Sequence, residues 1–208
     1  MNEEYISTQI AVYKNSKTLL EFHDKLKVAS MYSYAHIHAD GEDNGDGRRK
    51  HSLIGILMKD YSGGTGDKAV TVKANISPEE AKFILSRITT GFSEYTFQQE
   101  KIFGQKDEKG YAQVTKVRFI RALKDSKGNA RKIPWYVEVE NGKGIPLKNA
   151  TGGTYMKSGS FISTGKVYAK LLSRVSSYID AWEHSIAPSL ITMAKKAMEN
   201  RQAQQNAA

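Results

Sequence analysis

Polar and apolar residues alternate along residues 5–13, with Ile6, Ile10 and Val12 on one face, and this period of two predicts a β-strand. Residues 27–38 repeat the pattern, with Met31, Ala35 and Ile37 on one side and Tyr32, Tyr34, His36 and His38 on the other. The stretch 40–49 is polar and glycine-studded, which predicts an exposed connection. Two further strands, 51–61 and 68–76, are joined through Ser62-Gly63-Gly64-Thr65-Gly66, which supplies the positive-φ positions a tight turn requires. A helix start follows. Ser77 is an N-cap, Pro78 suits the first helical position, and Glu79 and Glu80 sit at the positive end of the helix dipole. Glu80, three residues after Ser77, completes a capping box, and Ala81, Ile84, Leu85 and Ile88 form the apolar stripe before Gly91 ends the helix.

The second half follows the same plan. Residues 92–103 and 111–123 read as long strands separated by a charged loop, and 130–140 as a third strand in which Pro134 points to an edge position or a bulge. Residues 141–160 are glycine-rich, with a short fourth strand expected near 154–157. A helix then runs from 163 or 164 to about 182, with Val167, Leu171, Leu172, Val175 and Ile179 at helical spacing. Pro188 predicts a break or kink, a last amphipathic piece reaches about 198, and 200–208 reads as a polar frayed tail.

Four landmarks recur in the same order in both halves. Ser62-Gly63-Gly64-Thr65, Ile76-Ser77, Ala81-Lys82 and Leu85-Ser86-Arg87-Ile88 are matched by Thr151-Gly152-Gly153-Thr154, Ile162-Ser163, Ala169-Lys170 and Leu172-Ser173-Arg174-Val175, at offsets of 86 to 89 residues. An internal duplication constrains architecture more than propensity does. The expected fold class is therefore α+β: two pseudo-repeated units of antiparallel strands, each followed by a helix, with the sheets packed through the helices and a C-terminal helical extension. Residues 1–187 form one domain made of two repeats, about 1–91 and 92–187, and 188–208 form a helix with a polar tail.

Composition narrows the chemistry. The chain of 208 residues has no cysteine, so thiol catalysis, zinc–thiolate and iron–sulfur sites are excluded. Nothing at the N-terminus resembles a signal peptide and no apolar run is long enough to span a membrane, so a soluble, cytoplasmic protein is expected. The net charge of +9 is unevenly spread: residues 1–90 hold 12 basic and 12 acidic side chains, and residues 91–208 hold 19 and 10. Basic excess makes a polyanion the default partner.

Several catalytic and metal readings fail on their residues. His36, His38 and His51 are closely spaced but lack further ligands on a rigid element, and the calcium-loop opening at Asp40, Glu42 and Asn44 has His51 where its closing Glu belongs. Gly165-Lys166 ends like a P-loop, yet Ser160 replaces its first glycine and Val167 the magnesium-binding hydroxyl. A non-enzymatic protein without a cofactor or metal is expected. Rings and cations on strand faces suit single-stranded nucleic acid, whose unpaired bases stack on flat side chains while Lys and Arg hold phosphates. Tyr32, Tyr34, His36 and either Trp135 or Tyr136, which point to opposite sides, are the candidate stacking residues. Lys116, Arg118, Arg121, Arg131, Lys132 and Lys143 are the candidate phosphate contacts.

Taken with the Ser62–Thr90 and Thr151–Ser177 repeat, this plan resembles the Whirly family of single-stranded DNA-binding proteins and its mitochondrial guide-RNA-binding relatives, over roughly residues 5–182. The resemblance implies their fold and ligand class. The lysine-glycine-lysine motif that plant members carry on a strand has no counterpart, since Gly142-Lys143-Gly144 reads as a glycine turn, and this counts against assembly of the family's kind. The expected function is single-stranded DNA binding with low sequence specificity, in replication or recombination, with self-association into a homo-oligomer left open. Two alternatives remain: an RNA-binding protein on the same fold, and a phage or mobile-element accessory protein that binds an acidic host protein.

Overall fold

A computed structural model describes residues 7–146, 151–163 and 165–206, with side chains undescribed at 151–157, 162 and 163. The first half contains β1 (Gln9–Lys14), β2 (Thr18–Lys25), β3 (Asp40–Asp43), β4 (Arg49–His51), β5 (Leu53–Asp60), β6 (Val70–Ile76) and α1 (Pro78–Thr89). The second contains β7 (Tyr95–Phe103), β8 (Ala112–Arg121), β9 (Trp135–Pro146), β10 (Thr151–Ser163) and α2 (Gly165–Asn206). One antiparallel sheet has the order β1-β2-β5-β6, the other β10-β9-β8-β7, and β3 with β4 forms a separate hairpin. Each half is thus a four-stranded meander followed by a helix, and the fold class is α+β as the repeat requires.

The duplicated landmarks occupy matching places. Ser62 to Thr65 form the β5–β6 turn, and Thr151 opens β10 at the corresponding third-to-fourth strand junction. Ile84 and Ile88 on α1 and Leu171 and Val175 on α2 are all buried. The α1 capping box closes as the sequence predicts: Ser77 Oγ accepts the Glu80 amide at 3.1 Å and the Glu80 carboxylate accepts the Ser77 amide at 2.7 Å.

The sheets cross. Strand β6 touches β10, β9 and β8, while β10 touches β6, β5 and β2, so the junction is direct as well as running through the α1–α2 contact. Gly159 on β10 permits this approach, because a Cβ there would lie 3.0 Å from Val72 Cγ2 and 3.1 Å from Met58 Sδ. Phe22, Phe119, Phe161 and Tyr168 are fully buried between these layers, each side chain contributing about 1.5–3 kcal/mol.

Several expectations are corrected. Residues 27–38 do not form a strand: Met31–His36 is a short 3₁₀ segment, and Ile37 follows at φ 57° and ψ −53°. The His38 amide donates to the His36 carbonyl across this residue, a strained three-residue turn for a β-branched side chain. The supposed connection after Asp40 contains β3 and β4. Strand β2 lies in a stretch to which no element was assigned. Pro134 precedes β9, which is a central strand, so it marks neither an edge nor a bulge. Gly142-Lys143-Gly144 is not a turn but part of β9, in register with β10 and β8. The last strand covers 13 residues instead of a short segment.

Pro188 does not break the helix. Residues from Gly165 to Asn206 form one helix of 42 residues, so most of the expected frayed tail is helical. An interior proline costs about 3 kcal/mol, and here it is exposed, with Ile179 on one side of it and Leu190 and Ala194 on the other buried. Among the described residues no helix is long and apolar enough to cross a membrane.

Candidate nucleic-acid interface

The outward face of the second sheet carries Lys116 and Arg118 as alternation predicts, with Val117 and Phe119 buried behind them. Both cations are already matched. Lys116 Nζ is 3.0 Å from Glu100, and Arg118 Nη2 is 2.7 Å from both Glu138 and Glu140. Cross-strand register places these carboxylates directly opposite, Glu100 and Glu140 beside Lys116 and Glu138 beside Arg118. Lys143 likewise pairs with Asp107 at 2.9 Å, and this holds the Asp107 carboxyl below its usual range.

The first sheet is the opposite case. Its outward rows are Val12-Glu21-Leu57-Lys73, Lys14-Leu19-Lys59-Thr71 and Gln9-His23-Gly55-Asn75, with Lys25 beside Leu53 at the end. Among the described residues, Lys14, Lys25, Lys59 and Lys73 have no carboxylate in ion-pair contact. Glu21, within the same rows, is held by Gln9 and His23 at 2.8 and 3.1 Å. Lys25 donates to Asn75 Oδ1 at 2.9 Å and lays its stem over Gly55, whose missing side chain leaves the room. Burial, and then the charge of Lys73, push its ammonium below the usual value. Lys14 lies 5.8 Å from the centre of the Tyr61 ring. The sequence signal was the alternation in β5 and β6. Counting charge over whole halves hid it, because six of the twelve acidic residues of this half lie in the β3–β4 hairpin and at the start of α1.

The remaining predicted residues scatter. Tyr32 is 70% exposed but does not share a strand face with Tyr34 and His36; Arg201 of α2 lies 4.7 Å over its ring and donates to its hydroxyl at 2.8 Å. Trp135 is corrected: it is buried at 6%, packed 6.3 Å from Tyr168 under the start of α2, where a Cβ at Gly165 would meet its Nε1 at 2.6 Å. Its ring is part of the core and offers no stacking surface. Tyr136 is the outward one of the pair, with the Arg131 guanidinium 4.6 Å from its centre. Arg121 lies 5.3 Å from the Trp135 ring and donates to the Phe92 carbonyl. Lys132 is exposed.

His36, His38 and His51 line one cleft, but among the described residues no three potential ligands converge as a metal site would require. His51 Nδ1 meets Asp40 at 3.1 Å, whereas His38 is buried, stacked on Trp182 at 4.8 Å with 9° between planes. Its Nδ1 meets Ser52 Oγ at 2.8 Å and its Nε2 meets Glu183 at 3.1 Å. Ser52 Oγ also accepts the Lys27 amide at 3.0 Å, and Glu183 also binds Lys82, which pairs with Asp180 at 2.7 Å. The Lys27 amide occupies the serine oxygen, so this Ser–His–Glu series clasps α1, α2 and the segment before β5 together. A cleft of about 910 Å³ beside it is lined by Asp40, Glu79, Glu80 and Glu100 against Lys101, which disfavours phosphate there.

No protein-family model and no curated protein matches the chain. The solved structures it is similar to include two plant proteins. One is WHY1 from Arabidopsis thaliana, at 13% sequence identity over 97% of this chain and 94% of that one, with a TM-score of 0.44. The other is the plant transcriptional regulator PBF-2, at 12% identity over 95% and 89%, with a TM-score of 0.42.

Proposed function

We propose that the chain is a non-enzymatic binder of single-stranded nucleic acid, DNA in the first instance, with little sequence preference, and that it holds the strand on the outward face of the first sheet. The observation that carries this reading is the contrast between the two sheets: four lysines without carboxylate partners on one, against Lys116 and Arg118 neutralised in place on the other. Unpaired ammonium groups recruit phosphates and release counterions. Val12, which is 44% exposed, and the half-buried Leu57 add apolar surface on either side of Glu21, whose carboxylate is held by Gln9 and His23, and Tyr61 adds a ring at the margin. That combination favours a polyanion whose bases are free to lie on the sheet, which a duplex does not offer. Lysines act as point charges and read no base edge, hence the low specificity. Arg131, Lys132 and Tyr136 provide a second contact at the other sheet.

Oligo-dT, the corresponding duplex and oligo-U are titrated at two salt concentrations. Preference for single strands is expected, with Lys59→Ala plus Lys73→Ala lowering the salt slope by roughly 0.7 per lysine and Lys116→Ala plus Arg118→Ala leaving it unchanged. Oligo-U decides between DNA and RNA. Equal retention of duplex and single strand, or a slope indifferent to the lysine pair, overturns the reading.

A further inference from the structure

A second cavity, of about 320 Å³, opens between the later turns of α1 and the start of β7. Its walls are Phe83 and Arg87 from α1, Phe92 from the connection, and Tyr95, Thr96 and Phe97 from β7. Phe83 and Phe92 are 46% and 44% exposed, unusual for phenyl rings that could have turned into the core. The Arg87 guanidinium lies 4.7 Å from the centre of the first ring and 5.0 Å from that of the second. No carboxylate among the described residues pairs with it, so its charge is held by ring faces alone.

Two polar atoms here are left over. The Tyr95 hydroxyl is buried without a hydrogen-bond partner, and so is Nε of Arg121, the residue opposite Tyr95 in the β7–β8 register. Both atoms lack accessible surface, so they belong to the packing around the cleft and a ligand within it does not reach them. Flat, exposed rings beside an unpaired guanidinium together describe a planar ligand with a negative substituent. The volume lies at the small end of ligand clefts, which suits one such unit and not a run of them.

We propose that this cleft takes a single unstacked nucleotide of the bound strand, its base against Phe83 and Phe92 and its phosphate on Arg87. Charge complementarity selects this occupant over an apolar peptide, because the Arg87 guanidinium stands beside the rings. The proposal rests on the strand-binding reading and adds to it a position that holds one base.

Oligo-dT carrying one 2-aminopurine tests it, with anisotropy reporting strand binding and 2-aminopurine fluorescence reporting stacking. Binding to the natural chain is expected to quench the probe. Phe83→Leu with Phe92→Leu keeps the apolar bulk, so it folds, yet should abolish the quenching and weaken strand binding roughly tenfold; Arg87→Gln should weaken both. Unaltered quenching in the double leucine variant, with strand binding intact, overturns this proposal alone. Failure of any oligonucleotide to bind overturns the strand-binding reading, and this occupant with it. Amide shifts at Phe92 and Tyr95 with dAMP but none with oligonucleotide would assign the cleft to free nucleotide and overturn the strand as its source.

Discussion

Asn141 on β9 reaches the free edge of the first sheet and serves both backbone groups of Lys73: the Lys73 amide donates to Asn141 Oδ1 at 2.7 Å, and Asn141 Nδ2 donates to the Lys73 carbonyl at 2.7 Å. A side-chain amide thus stands in for a fifth strand at that point. Nδ2 also lies 3.2 Å from Thr115 Oγ1, which fixes the amide's orientation from its own sheet. Asn141→Ala is expected to destabilise by about 1–2 kcal/mol, measured by urea unfolding. Asn141→Asp should be no milder, since its oxygens cannot donate to the Lys73 carbonyl. An unchanged midpoint in both would show that the sheets are held by packing alone.

Where the sheets cross, the room beside Gly159 is set by Val72 and Met58. Gly159→Ala should cost about 1–3 kcal/mol by overpacking. Val72→Ala in the same chain should recover part of that loss, so the double variant is more stable than the two single losses predict. Simple additivity would place the strain elsewhere.

The His38 clasp makes a prediction in pH. Burial works against ionisation of Glu183, but hydrogen bonds from His38 and Lys82, with the Lys82 charge, outweigh it and hold the carboxyl below its ordinary 4.5. Burial likewise lowers Lys82, and Asp180 and Glu183 reverse this, raising it above 10.5. A depressed carboxyl stabilises above its unfolded value and loses that contribution as pH falls through the folded one. A raised ammonium stabilises below its unfolded value and loses it as pH rises through the folded one. The stability gap between the natural chain and Glu183→Gln should therefore shrink as pH falls below about 4, followed by denaturant midpoints. A gap that widens in acid would refute the assignment.

Tyr178 on α2 donates to Asp24 on β2 at 2.7 Å, and that bond first, then burial and the carboxylate charge, push the phenol up to about 12. Absorbance titration should find one tyrosine ionising near that value. Asp24→Asn should bring it back toward 10.0. The bond's contribution is present below the ordinary phenol value and is lost as pH climbs through the raised one. A midpoint indifferent to Asp24→Asn would mean the pair is not formed in solution.

Much of the fold is legible in the residues because its signals are local. Ser77, Pro78 and Glu80 mark the start of α1 on their own, and the paired landmarks place the β5–β6 turn, the start of β10 and two helices without any contact being known. What the pattern misread depends on partners far along the chain. Residues 31–38 alternate like a strand, yet Ile37 takes a positive φ and His38 turns inward to Ser52 and Glu183, a partner 145 residues away. On β2, Leu19 points outward and is still buried, breaking the alternation that would have shown the strand. Trp135 and Tyr136 could be assigned to opposite faces, but which faced the core depended on α2 and Gly165.

The candidate site was less legible for the same reason. Lys116 and Arg118 were placed correctly on an outward face, but their neutralisation depends on Glu100, Glu138 and Glu140 arriving from neighbouring strands. Phe83, Arg87 and Phe92 meet across a helix end and a turn, and the sequence shows them only as a helix position, a repeat landmark and a strand residue.

The unpaired lysines of the first sheet give a half with equal numbers of acids and bases a lopsided field. Six of its twelve acids, Asp40, Glu42, Asp43, Asp46, Glu79 and Glu80, lie away from that face in the β3–β4 hairpin and the first turn of α1, which gives the half an electric dipole. Such a moment turns a tumbling protein before it touches anything, presenting one side to an approaching chain of phosphates and withdrawing the other. Productive encounters become more frequent without any gain in overall charge, and the advantage fades once the ionic strength shortens the reach of the field below the width of the sheet.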